Sequence, residues 1–143
     1  MQKSGYGKSL KIPVNDMDEK DVVALINASR KGIGYAIFMD LAKISPFSLQ
    51  EWSIYLHLSE RTIQRYKKEK RAFDPMQSER ILQIMLLFKS GARVFGSKDK
   101  FSRWLESENL ALGKITPKEL LDNTFGIGLL NDELIRIEHG VLA

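Results

Sequence analysis

Arg61, Thr62, Gln64, Arg65, Lys67, Lys68, Lys70 and Arg71 lie within one short segment of the 143-residue chain. The six cations from Arg61 to Arg71 face one acid, Glu69, a net of +5 in a protein whose formal net charge is +4. Residues 1–75 hold 13 Lys and Arg against 9 Asp and Glu, whereas residues 76–143 hold 9 of each, so the excess is local. A solvated helix face is usually of mixed sign, and such a concentration favours a polyanion partner. The chemistry is hydrogen-bond recognition. Arg can bond bidentately to guanine and Gln to adenine, which makes Arg61, Gln64 and Arg65 candidates for base edges. Thr62 can meet a phosphate or a thymine methyl, and Lys67, Lys68, Lys70 and Arg71 can hold phosphates without reading sequence.

Reactive chemistry has little to work with. The chain has no cysteine, which excludes disulfides, thiolate ligands and cysteine nucleophiles and suits a reducing compartment. Its two histidines, His57 and His139, are distant in sequence and too few for a dedicated metal site. His139 beside Glu138, with Asp132 seven residues back, lacks a nucleophile, so no catalytic role, metal or cofactor is expected. Gly5-Tyr6-Gly7-Lys8 lacks the preceding strand and the glycine spacing of a phosphate loop.

The basic segment belongs to a helix-turn-helix pattern over residues 48–71. Ser48 with Glu51 three residues on has the spacing of a capping box, and Leu49, Trp52 and Leu56 form an apolar stripe. Leu58 follows the turn, Ser59 can cap a second helix, and Ile63 and Tyr66 form its inner stripe. Glu60, Arg61, Thr62, Gln64, Arg65, Lys67 and Lys68 are left on the outer face, the side-chain set of a recognition helix. Trp52 and Tyr66 could stack on bases, but their stripe positions favour the core.

The remaining elements are helical too. Asp16 with Glu19 is read as the cap of a first helix, with Val22, Leu25, Ile26 and Ser29 on one face and Gly32 and Gly34 at its end. Residues 35–43 make a second helix with Ile37, Phe38 and Leu41 inward, closed by Ser45-Pro46. Asp74, Pro75 and Gln77 supply N-cap, first-turn proline and N3 residue for a long helix. Its two apolar rows, Ile81, Met85, Phe88, Ala92 and Phe95 beside Leu82, Leu86 and Leu87, make it a central helix joining two halves, with part available to a dimer contact. Gly96-Ser97 breaks and recaps the chain before a helix marked by Phe101, Trp104 and Leu105. Residues 109–113 read as a loop, Thr116-Pro117-Lys118-Glu119 as the start of a helix holding Leu120 and Leu121, and Gly126 and Gly128 as a turn. Ile127, Leu130, Leu134 and Ile137 form a final stripe ended by Gly140.

No segment alternates with period two long enough for a strand, so the fold class is all-α. Three parts are expected: a flexible tail (1–15), a helix-turn-helix domain (16–89) and a C-terminal domain (90–143). The N-terminal residues lack the apolar core of a signal peptide, and no apolar run nears the roughly 20 residues that cross a bilayer. A cytoplasmic protein without membrane contact is expected. At the far end, Val141-Leu142-Ala143 follow the polar Glu138 and His139. From the residues alone this is either a frayed terminus or an apolar end covered by a partner.

Separated motifs in residues 93–143 carry a family resemblance. They are Val94-Phe95-Gly96, Trp104-Leu105, Asn109 with Ala111-Leu112-Gly113, Thr116-Pro117 with Leu120-Leu121, Gly126, and Arg136-Ile137 with His139-Gly140-Val141. In this order they resemble the Xre-type antitoxins of the MbcA/ParS group, and the likeness extends through the helix-turn-helix to about residue 48. The resemblance implies an Xre-like helix-turn-helix domain joined by the long central helix to a small α-helical toxin-binding domain. It implies a homodimer on the double-stranded promoter DNA of its own operon, and a cognate RES-domain toxin that degrades NAD. The antitoxin would be no enzyme and would occlude the toxin's active-site cleft. Asn109, Leu112, Gly113, Arg136, Glu138, His139, Gly140, Val141, Leu142 and Ala143 are the toxin-binding residues so implied. The chain departs from the family at His57, where glycine is common in the turn and left-handed angles or a changed turn are required. It departs also at Ser53, often alanine, and at Leu110, often proline. Without the resemblance, a stand-alone helix-turn-helix regulator with a C-terminal dimerisation or ligand-binding domain is the alternative.

Overall fold

The computed structural model describes residues 17–140. The expected N-terminal tail, Asp16, and the toxin-binding candidates Val141, Leu142 and Ala143 lie outside the described residues. Seven α-helices are present among the described residues: α1 (Glu19–Lys31), α2 (Tyr35–Ile44), α3 (Leu49–Leu56), α4 (Glu60–Glu69), α5 (Pro75–Phe95), α6 (Lys98–Glu106) and α7 (Thr124–Glu138). Two 3-10 turns, Leu110–Leu112 and Pro117–Leu120, separate α6 from α7. Among these residues extended backbone pairs only as isolated bridges, Gly34 with Ala72 and Asn109 with Ile115. The described residues form two compact units that divide between Met85 and Leu86, and α5 contributes residues to each.

In the first unit, α1 is capped by Asp18, not by Asp16 as expected. The Asp18 carboxylate accepts from the Asp21 N–H, and the Asp21 carboxylate accepts from that of Asp18. The Asp16–Glu19 reading had the right spacing two residues too early, because acids at 16, 18, 19 and 21 offer competing caps. The core centres on Phe38 of α2, whose ring meets Trp52 at 5.2 Å and Phe73 at 5.0 Å, both edge-on. Edge-to-face packing of this kind adds roughly 0.5–1.5 kcal/mol to area burial. A buried serine ties the α1–α2 connection to the start of α5. Ser78 Oγ accepts from the Ile33 N–H at 2.8 Å and donates to the Phe73 carbonyl at 3.2 Å, while the Phe73 N–H donates to the Ile33 carbonyl at 2.8 Å. α5 begins at Pro75 as expected, but Gln77 makes no reciprocal cap, for its side-chain oxygen is buried without a partner.

In the second unit, Phe101 of α6 is fully buried against Phe88, Phe95 and Trp104, with centroids 5.6–5.7 Å away. A Cβ at Gly91 would lie 2.2 Å from the Phe101 ring, so only glycine lets this ring seat against α5. Leu105, Leu121, Ile127, Leu130 and Leu134 complete the core. Two expectations are corrected here. The Thr116–Glu119 device starts only the 3-10 turn Pro117–Leu120, on which α6 and α7 both pack. Gly126 and Gly128 form no turn and lie within α7. Asn123 starts that helix: its Oδ1 accepts from the N–H groups of Phe125 and Gly126 at 2.8 and 3.3 Å. Gly126 then allows close approach, since its Cβ would lie 2.3 Å from the Leu120 carbonyl oxygen.

Candidate functional site

The helix-turn-helix is formed by α3 and α4, and each local device sets the aim of α4. Ser48 and Glu51 make the full capping box of α3. Trp52, Ser53, Tyr55 and Leu56 are buried beneath it, with Trp52 1% exposed, and Arg80 of α5 donates to the Tyr55 carbonyl at 3.1 Å. Ser53 fills the small-residue position, and its hydroxyl returns to the Gln50 carbonyl at 2.6 Å. His57 ends α3 with φ 57° and ψ 39°, the left-handed geometry expected of this non-glycine turn. The Leu58 N–H then donates to the Ser53 carbonyl at 3.0 Å, and Ser59 caps α4 by accepting from the Thr62 N–H.

With Ile63 and Tyr66 buried, α4 presents Arg61, Gln64, Arg65, Lys67 and Lys68 to solvent. Arg61, Thr62, Gln64, Arg65 and Lys68 line one open depression of about 300 Å³. Thr62 is half-buried, with its hydroxyl accepting from Ser59 at 2.9 Å. Arg65 lies 4.0 Å from Glu69, a loose exposed pair that leaves its guanidinium able to exchange partners. Lys70 closes α4 in left-handed geometry. Arg71 is the most constrained of the set, 3.4 Å from Asp74 and 4.5 Å above the Tyr66 ring. The geometry thus brings five of the eight residues to one surface and leaves Lys67, Lys70 and Arg71 outside that depression's lining.

The second unit holds the other candidates. Asn109 organises its turn: its Oδ1 accepts from the Ala111 N–H at 2.8 Å, and its backbone N–H donates to the Ile115 carbonyl at 3.0 Å. Leu112 is half-buried, and Gly113 ends the turn at φ 85°. Arg136 pairs with Glu133, and Glu138 pairs with Arg93 of α5. The hydrogen bond from Arg93 holds the Glu138 carboxyl below the usual carboxylate range. His139 and Gly140 are exposed at the end of α7. The 109–113 turn and the end of α7 are separate elements of this unit.

Sequence reasoning missed the apolar residues that remain outside. In the second unit these are Leu110 (81% exposed), Phe125 (88%), Leu129 and Ile135. Phe125 and Leu129 stand one helical turn apart and out of phase with the buried Ile127, Leu130 and Leu134. That second apolar row was the available signal. The first unit also leaves Val22, Val23 and Ile26 exposed on α1, which buries no residue. Among the described residues no group of three His, Cys, Asp or Glu is placed to hold a metal, and no helix is long and apolar enough to cross a membrane.

The described residues thus form a helix-turn-helix unit followed by a small helical unit that leaves apolar residues exposed. Comparison with known proteins makes the class specific. Residues 24–85 match the antitoxin Xre-like helix-turn-helix domain, and residues 90–140 match the antitoxin Xre/MbcA/ParS C-terminal toxin-binding domain. The chain is similar to an antitoxin Xre of Photorhabdus laumondii, 28% identical over 104 residues, covering 66% of this chain and 70% of the relative. It is also similar to an antitoxin Xre of Yersinia enterocolitica, 30% identical over 84 residues, covering 58% of this chain and 57% of the relative. The chain belongs to the Xre/MbcA/ParS-type antitoxins of toxin–antitoxin systems.

Proposed function

We propose that this antitoxin binds a RES-domain, NAD-degrading toxin, occludes its active-site cleft, and as a homodimer represses its own operon by binding promoter DNA. The observation that carries the reading is the succession of the two domain matches, a helix-turn-helix over 24–85 and a toxin-binding domain over 90–140. Neutralisation of this kind is occlusion, needing shape complementarity and a few buried anchors, with the chemistry left to the partner. The C-terminal candidates support it without supplying a catalytic set. Asn109, Leu112, Gly113, Arg136, Glu138, His139 and Gly140, with Val141, Leu142 and Ala143, combine polar groups with apolar or small ones.

The DNA arm is supported by the exposed α4 residues. Arg61, Gln64 and Arg65 are assigned to base edges, Thr62 to a phosphate or thymine methyl, and Lys67, Lys68, Lys70 and Arg71 to phosphates. A homodimer presents two recognition helices to half-sites about one helical turn, roughly 34–36 Å, apart. The test is a pull-down with the product of the adjacent gene, followed by co-expression scored for survival. Capture and protection are expected, and capture of nothing would sink the antitoxin reading for that gene pair. A chain lacking residues 136–143 is expected to lose protection; full protection by it would remove the tail from the interface.

A further inference from the structure

Three glycines lie inside the helices of the second unit, and only two have an internal reason to be there. Gly91 makes room for the Phe101 ring and Gly126 for the Leu120 carbonyl, at 2.2 and 2.3 Å from where a Cβ would stand. At Gly128 nothing lies within 4 Å of that position. A glycine in a helix interior is unfavourable relative to alanine, and its lack of a side chain permits another backbone or ligand to come close. Gly128 does not serve the packing of its own chain.

Its neighbours on the helix complete the pattern. Ile127, Leu130 and Leu134 bury one face of α7. At 100° per residue, Phe125, Gly128, Leu129 and Asp132 fall on the opposite face, with Ile135 at its flank. Phe125 is 88% exposed, and Leu129 and Ile135 are exposed as well. An exposed apolar row on a helix whose other face is already buried is the mark of a surface that a partner covers. Asp132 and Arg136 both fall on this face, whereas Glu138 lies on the inner side paired with Arg93, so the face carries no cationic excess for a polyanion, in contrast to α4. All of it falls within residues 90–140, which match the toxin-binding domain.

We propose that the outer face of α7, built on Phe125, Gly128 and Leu129, is a principal docking surface for the toxin. Phe125 and Leu129 are its apolar anchors, and Gly128 is the point where the toxin's main chain or a flat side chain meets the helix backbone. The inference rests on the proposed toxin-binding function and assigns it a surface, adding this helix face to the turn and tail that the sequence indicated.

The test uses the full chain, the purified product of the adjacent gene as probe, and two variants, Phe125→Ser and Gly128→Leu. Leucine is a better helix former than glycine and meets open space in the free chain, so the Gly128→Leu melting temperature should be unchanged or raised. Toxin affinity by calorimetry should nevertheless fall at least about thirtyfold in each variant, as for an interface hot spot. Operator binding should stay at the wild-type level. Wild-type affinity in both variants overturns the proposal. A loss of self-association by light scattering, with toxin affinity intact, assigns the face to a second copy and also overturns it. A fall in Gly128→Leu melting temperature would show that the glycine serves internal packing and would remove it from the surface. If the wild-type chain itself fails to bind the probe, the toxin-binding function fails first and the proposal falls with it, a result distinct from any variant effect.

Discussion

The outer faces of α4 and α7 differ in a way that separates two kinds of recognition. α4 shows two arginines, a lysine and a glutamine around its open depression, whereas α7 shows Phe125, Leu129 and Ile135. Charge acts over a Debye length of about 8 Å at physiological ionic strength and is easily exchanged between water, counterions and phosphate. An apolar face works only in contact, and gains roughly 25 cal/mol for each Å² it removes from water. Under the proposed function, a feedback arm that must release its operator would suit the first, and a neutralising arm that must hold its toxin would suit the second.

Four changes would break or sharpen this contrast. The largest effect is expected from the support beneath α4. Trp52→Ala should cost about 3–5 kcal/mol in urea unfolding, because it removes a buried ring at the centre of the first unit's aromatic cluster. Operator binding should fall with it, and an unchanged melt would mean that the cluster does not position α4. Arg65→Ala should cost about 1–3 kcal/mol in operator affinity, with loss of discrimination at one base pair and a normal melt. Equal weakening on specific and random DNA would demote Arg65 to a phosphate contact. Lys68→Ala should weaken binding on all sequences and lower the salt slope by about one, read from a titration series in potassium chloride.

The smallest effect lies in the second unit. Glu138 has a lowered folded-state pKa through Arg93, so the pair contributes stability at neutral pH that is lost as pH falls through that lowered pKa. Glu138→Gln should lower neutral-pH stability slightly and flatten the acid limb, the variant and the wild type converging once pH has fallen through the lowered pKa. A limb as steep as in the wild type would mean that the pair contributes nothing, as is common for exposed ion pairs.

Much of the fold could be read from residue spacing. Ser48 with Glu51 and Ser59 gave the two caps of the helix-turn-helix, Ile63 and Tyr66 gave its buried stripe, and the proline at 75 marked the start of α5. These are local devices whose partners are three or four residues away. The misreadings have a common physical origin. Gly126 and Gly128 look like a turn in one dimension, and only the approach of Leu120 explains the first of them as a helical residue. Thr116-Pro117-Lys118-Glu119 starts a helix in pattern, yet the chain makes a single 3-10 turn, and that turn packs against α6 and α7. The basic surface of α4 was visible because charge excess survives any fold. The apolar surface of α7 was not, since periodicity groups apolar residues by face but does not say which face will be covered from within.

Under the proposed function, this chain neutralises an NAD-degrading toxin by binding it. The most direct measurement is NAD consumption by the purified product of the adjacent gene, titrated with the full-length chain. Stoichiometric arrest of NAD loss, accompanied by a stable complex on gel filtration, is the predicted result. Undiminished NAD loss in the presence of a saturating excess of the chain would contradict it.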